Sequence, residues 1–244
     1  KEALGLYREI LKKYPRYQRK DEVYYNLGSS LYDSKSKKSK RLGMKMYWKL
    51  IKEFPKSSYT PDAWLQLGEH FFNSGGAKLK QAVRAYRAAA KTKKPRIYSF
   101  ALYKLAWCYY NVGEFGKAID TMKAVVAFSM TAQEGNTKSQ LTLQDEALKD
   151  LVRFFADAGE MDEAYGYFTK LGKTDLIRKM LTRLATTYFE QGKFEQTIQT
   201  YRRLIAEEPG SPDSPEYQNE IIQAYSKMGR KRETVTEIDK LRRD

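Results

Sequence analysis

Residues 101–125 read ALYKLAWCYYNVGEFGKAIDTMKAV, and the order of side-chain sizes in this stretch decides the fold. Leu105-Ala106-x-x-Tyr109 is an apolar–small–x–x–aromatic phrase at helical spacing, and Gly113 interrupts it. Phe115, Ala118, Met122 and Val125 then resume the stripe on a second helix. Upstream, Leu67-Gly68-x-x-Phe71 with Gly75 repeats the phrase. Downstream, Leu151-Val152-x-x-Phe155 with Gly159 and Ala164, and Leu184-Ala185-x-x-Tyr188 with Gly192 and Phe194, repeat it again. A period of 33 to 46 residues with this content is the mark of a helical-pair solenoid.

Working outward, the pattern predicts six helix pairs and an N-terminal half repeat. Ala3, Tyr7, Ile10 and Leu11, stopped by Pro15, match a second helix without its first. That half repeat implies a chain continuing upstream or a packing partner on its open face. In the first full pair, Ser34-Lys35-Ser36-Lys37-Lys38-Ser39-Lys40 reads as a charged loop. The next pair, from Trp64 to Ala89, is expected to end near Pro95. Residues 129–140 lack periodicity and read as an irregular insertion loop. The expected organisation is a basic array with an aromatic groove (1–128), that loop (129–140) and a second array (141–244).

The physical basis is close packing. Gly28, Gly68, Ala106 and Ala185 let the two helices of a unit approach, and an aromatic one turn later fills the gap to the next helix. No pair buries enough surface alone, so neighbours stabilise the stack.

The chain carries a net charge of +15, distributed unevenly. Residues 1–100 hold 24 Lys and Arg against 8 Asp and Glu, whereas residues 101–244 hold 21 against 22. No apolar run is long enough to span a membrane, and no secretory signal opens the chain. The lone Cys108 excludes an internal disulfide framework, and the lone His70 lacks companions for a metal site. There is no phosphate-binding glycine loop and no nucleophile elbow. No catalytic role, cofactor, metal or small-molecule substrate is expected.

The small–x–x–aromatic helix, glycine turn, second-helix alanine and closing proline together resemble the tetratricopeptide repeat (TPR) family over essentially the whole chain. Val152 and Ile222 depart from its small residue, and Thr197 and Thr234 from its alanine. The resemblance implies an all-α, right-handed solenoid acting as a protein-interaction scaffold, its first helices lining a concave surface. Projected so, the groove takes Tyr25, Ser29 and Tyr32, then Leu65, Glu69 and Phe72, then Tyr103, Trp107 and Tyr110. Later repeats offer Lys149, Arg153, Thr182, Thr186, Phe189, Asn219 and Gln223. Family members that hold chaperone C-termini use a lysine, asparagine and arginine clamp. Tyr25, Ser29, Leu65, Gln66 and Glu69 in those slots cannot form it.

Phe54-Pro55-Lys56-Ser57-Ser58-Tyr59 and the run from Ala101 to Tyr110 are similar to bacterial cell-envelope members: outer-membrane lipoproteins, Tol-Pal-associated factors and gliding-motility components. That similarity implies a periplasmic or outer-membrane-associated scaffold. Aromatic anchors in a groove are typical binding hot spots, so a peptide or protein segment is the first expected partner. The alternative is charge-driven binding of nucleic acid or an anionic lipid or polymer through Lys35, Lys37, Lys38, Lys40 and Arg41.

Overall fold

A computed structural model describes residues 2–92, 94–131, 138–172 and 174–242. Among them are thirteen α-helices and no strand. Helix α1 (Glu2–Lys13) is the half repeat. The pairs are α2 (Lys20–Tyr32) with α3 (Lys37–Glu53), α4 (Thr60–Ser74) with α5 (Leu79–Ala89), and α6 (Pro95–Asn111) with α7 (Phe115–Thr131). Then come α8 (Lys138–Ala158) with α9 (Met161–Lys170), α10 (Thr174–Glu190) with α11 (Phe194–Glu207), and α12 (Ser214–Lys227) with α13 (Lys231–Leu241). The chain forms two compact units, Lys1–Ala132 and Gln133–Asp244.

Local chemistry sets the boundaries. Ser36 caps α3 by accepting the Ser39 amide. Pro61, Pro95 and Pro215 sit in the first turns of α4, α6 and α12, where a missing N–H costs nothing. Helices α1 and α3 end just before Pro15 and Pro55. Gly113, at φ 79°, makes the turn from α6 to α7 in a left-handed conformation that a side chain would resist.

Three expectations need correction. The lysine-rich stretch is not all loop, because the Ser36 cap starts a helix at Lys37. Pro95 opens α6 and does not close the preceding pair. Within 129–140, residues 129–131 and 138–140 are helical: α7 continues to Thr131, with the Ser129 hydroxyl donating to the Val125 carbonyl at 2.9 Å, and α8 begins at Lys138. Residues 132–137 lie outside the described residues.

In the first unit the core gathers Tyr24, Met44, Tyr47, Leu50, Ala63, Leu67 and Ala85. In the second it includes Leu151, Phe154, Phe155, Phe168, Leu184 and Tyr188, all fully buried. The departure at Thr197 has a clear accommodation. Its buried hydroxyl sits 3.1 Å from the Lys193 carbonyl and 3.3 Å from that of Ala185, so no polar group is stranded.

Candidate functional site

The site is built on the first helices of the first unit, α2, α4 and α6. Buried Leu27, Leu67 and Leu105 turn one face of these helices inward. Residues two or five positions away then fall on a second, half-buried face. That face holds Tyr25, Tyr32, Leu65, Phe72, Tyr103, Trp107 and Tyr110.

How the face is assembled depends on two glycines. A Cβ at Gly68 would stand 2.6 Å from a ring carbon of Tyr86, and one at Gly28 2.8 Å from the ring of Tyr47. With glycine there, each second-helix tyrosine packs its ring directly against the first helix. The Tyr86 hydroxyl donates to Glu69 Oε1 at 2.6 Å. Burial, then the Glu69 carboxylate, pushes the Tyr86 phenol far above its ordinary value, so it is a donor at every physiological pH.

Glu69 is the electrostatic centre of the face. Lys104 Nζ, on α6, lies 3.4 Å from its carboxylate, and the two side chains are only 22% and 25% exposed. The same ammonium sits 5.4 Å from the centre of the Phe72 ring and 5.3 Å from that of Phe100. A cation held between two aromatic faces and a carboxylate ties α4 to α6. On the other side, the Tyr32 hydroxyl and His70 Nδ1 are 3.1 Å apart, tying α2 to α4. Burial, aided by Lys78 and Lys40, lowers the His70 pKa and favours its neutral ring.

The remaining predicted residues divide. Trp107 and Tyr110 meet edge to face at 5.3 Å, and Tyr110 continues to Phe115 at 5.6 Å. Tyr25 is committed to the repeat boundary, stacked on Tyr59 at 5.3 Å and tilted against Tyr47 at 6.0 Å. That boundary is the Phe54–Tyr59 phrase, whose residues are mutually fastened. The Ser57 hydroxyl donates to Asp21 at 2.6 Å and accepts the Tyr59 amide, while the Thr60 hydroxyl donates to the Phe54 carbonyl. Leu65 and Tyr103 are half-buried on α4 and α6.

Of the basic set, Lys35 precedes the cap, and Lys37, Lys38, Lys40 and Arg41 occupy the opening turns of α3. Lys40 also reaches the Tyr32 ring, at 5.7 Å from its centre. In the second unit Lys149, Arg153, Thr186, Asn219 and Gln223 are exposed, and Thr182 and Phe189 half-buried. Thr182 donates to the Tyr217 hydroxyl at 3.2 Å, and Thr186 lies 3.3 Å from that of Tyr201.

Residues 100–127 and 180–211 match the family model of the tetratricopeptide repeat. The chain contains tetratricopeptide repeats. The first matched stretch spans most of α6 and α7, and the second runs from α10 into the turn after α11. No curated protein matches the chain in sequence. Among solved structures it resembles the apo form of RapI, at 11% identity and a TM-score of 0.52, over 96% of this chain and 68% of that one. A tetratricopeptide repeat protein from Parabacteroides merdae is 20% identical, with a TM-score of 0.48 over 89% of this chain and 78% of its own. BtubC from P. vanneervenii is 14% identical, with a TM-score of 0.43 over 90% of each chain. At these identities the RapI likeness speaks to fold alone.

Sequence reasoning named Glu69 for this face but missed Tyr86 and Lys104. The signal for Tyr86 was present: a glycine on the first helix followed by a second-helix tyrosine four residues after a small residue, as in Ala82 and Tyr86. Lys104 carries no such signal, because it stands one place off the apolar stripe.

Proposed function

We propose that the first unit is a non-catalytic protein-recognition module in which the face of α2, α4 and α6 acts as the concave groove. Tyr32, Leu65, Phe72, Tyr103, Trp107 and Tyr110 supply apolar contact, and Tyr25 supports their edge. The observation that carries this reading is the Glu69–Lys104 pair, largely withdrawn from solvent yet set among aromatic rings. Such a partly desolvated polar pair inside an aromatic field has the composition of an interface hot spot. It favours a peptide or helix bearing aromatic or aliphatic anchors beside a charged residue.

The test is the doubly substituted chain Tyr103→Ala/Trp107→Ala, with photo-crosslinking at Leu65 in native cells. Circular dichroism should stay helical, and adducts formed by the unsubstituted groove should disappear. An identical adduct pattern would remove the groove from the proposal.

The setting proposed is a periplasmic or outer-membrane-associated complex in a bacterial envelope, of the Tol-Pal-associated or gliding-motility kind. Support comes from the Phe54–Tyr59 phrase and from the aromatic run of α6. Among the described residues no helix is long and apolar enough to cross a membrane. Cell fractionation of the full-length protein decides the setting, and recovery in the cytoplasm alone would refute it.

One observation favours a second reading. Helix α3 opens with Lys37, Lys38, Lys40 and Arg41 and has no acid in its first turn. Cations there oppose the helix dipole, typically by 0.3–1 kcal/mol each, so they do not serve the helix itself. Exposed Lys45, Trp48, Lys49 and Lys52 continue the basic face. Binding of nucleic acid or anionic vesicles by this face should weaken steeply with salt. Absence of binding at low salt would eliminate it.

A further inference from the structure

A cavity of about 340 Å³ lies among α1, α2 and α3, away from the aromatic face. Its apolar lining is Leu11, Leu27, Leu31, Leu42 and Met46. Its polar lining is Arg8, Lys12 and Lys49, with no carboxylate. Leu27 and Leu31 are core residues of α2, whereas Leu42 is 36% exposed at the mouth. Arg8 and Lys12 stand one turn apart on α1, and Lys49 faces them from α3. Among the described residues none of these three cations forms a salt bridge, although Lys13 nearby pairs with Glu9 at 2.6 Å.

We infer that this cavity binds a single-chain anionic amphiphile, its alkyl chain on the leucine and methionine floor and its headgroup among Arg8, Lys12 and Lys49. Three considerations select this ligand. The volume falls at the lower end of small-molecule sites, which run from about 300 to 1,000 Å³. An amphipathic helix would instead need a row of anchoring pockets at i, i+3, i+4 and i+7. The lining is divided into an apolar floor and a wholly cationic rim, and a neutral hydrocarbon would leave that rim unmatched. Lys and Arg stems cover apolar surface while their heads remain wet, so the rim can close over a chain and meet an anion at the mouth. A carboxylate and a phosphate monoester present the same chemistry to this rim.

The experiment is isothermal titration calorimetry of the whole chain with laurate, dodecyl phosphate and dodecyltrimethylammonium, each below its micellar concentration. One or both anions should bind at a single saturable site, and their relative affinity tells a carboxylate source from a phosphate one. The cationic analogue should not bind. Lys12→Glu/Lys49→Glu, which changes only exposed side chains, should weaken anion binding by about tenfold or more, equivalent to about 1.4 kcal/mol. Leu42→Asp should do the same from the mouth. Circular dichroism should show both variants still helical. Failure of both anions to bind, equal affinity for the cationic analogue, or unchanged affinity in the charge-reversed chain would each overturn the assignment.

Discussion

Replacing Gly68 by alanine tests the architecture of the site more directly than any polar substitution. In an unencumbered helix interior, glycine to alanine stabilises by about 0.8–1 kcal/mol. At Gly68 the added methyl would meet Tyr86 ring carbons at 2.6, 2.7 and 3.0 Å, inside van der Waals distance. The ring cannot swing aside, since Tyr86 is fully buried and its hydroxyl is held by Glu69. Overpacking a rigid core costs about 1–3 kcal/mol, so after the alanine gain the net change is destabilisation by up to about 2 kcal/mol. In a chain of this size that lowers the melting midpoint by a few degrees. Gly166→Ala provides the opposite sign, because nothing lies within 4 Å of a Cβ there and the residue sits inside α9. Thermal melts followed by circular dichroism should move down for Gly68→Ala and up for Gly166→Ala. Adding Tyr86→Leu to Gly68→Ala should cost less than the two single changes summed, since the leucine removes the ring that clashes. A Gly68→Ala chain as stable as the unsubstituted protein would refute the packing argument, and with it the route by which Tyr86 reaches Glu69.

Two further outcomes follow from buried ionisable groups. Glu237 is 4% exposed, yet its pKa lies below the ordinary 4.5, because hydrogen bonds from Gln218, Lys240 and Arg202 outweigh the opposing effect of burial. A depressed folded pKa stabilises the fold above about pH 4.5, and that contribution is lost as pH falls through the folded value. Hydrogen exchange in α12 and α13 should therefore accelerate in mild acid, and Glu237→Gln should flatten that dependence. The Cys108 thiol is raised to about 12, mainly by burial and secondarily by Glu69. Iodoacetamide at pH 8 should leave it unmodified in the folded protein and alkylate it in denaturant, as read by mass spectrometry; rapid labelling of folded protein would contradict its placement.

The repeat phrase made the helix pairs legible because the small residue and the following aromatic are packing requirements, and packing repeats with the fold. Helix ends were less legible wherever composition and capping disagreed. Lysines at 37, 38 and 40 look like loop residues, but the Ser36 hydroxyl captures the Ser39 amide and the helix starts regardless. Residues 129–131 look irregular, but the Ser129 hydroxyl donates to the preceding turn and α7 continues. The positions of Tyr25, Tyr32, Phe72, Tyr103, Trp107 and Tyr110 on the first helices were legible, while the polar contacts around them were not. Glu69, Tyr86 and Lys104 come from three helices and 36 positions of sequence, and only the glycine at 68 brings the second-helix hydroxyl through.

That dependence on a second helix explains why the repeats offer different surfaces. The position after the small residue carries Ser29, Glu69, Trp107 and Thr186 in four of the pairs. The facing second-helix position, four residues beyond Gly43, Ala82, Ala118 and Thr197, carries Tyr47, Tyr86, Met122 and Tyr201. Where a tyrosine faces it, the first helix carries a polar side chain, and in two pairs that side chain hydrogen-bonds the phenol: Glu69 with Tyr86 and Thr186 with Tyr201. Where the second helix carries Met122 in place of a tyrosine, the first helix carries an indole. Polar and aromatic positions on the face are thus coupled choices of two helices, since a polar side chain half-buried there without a partner would lose its hydration uncompensated.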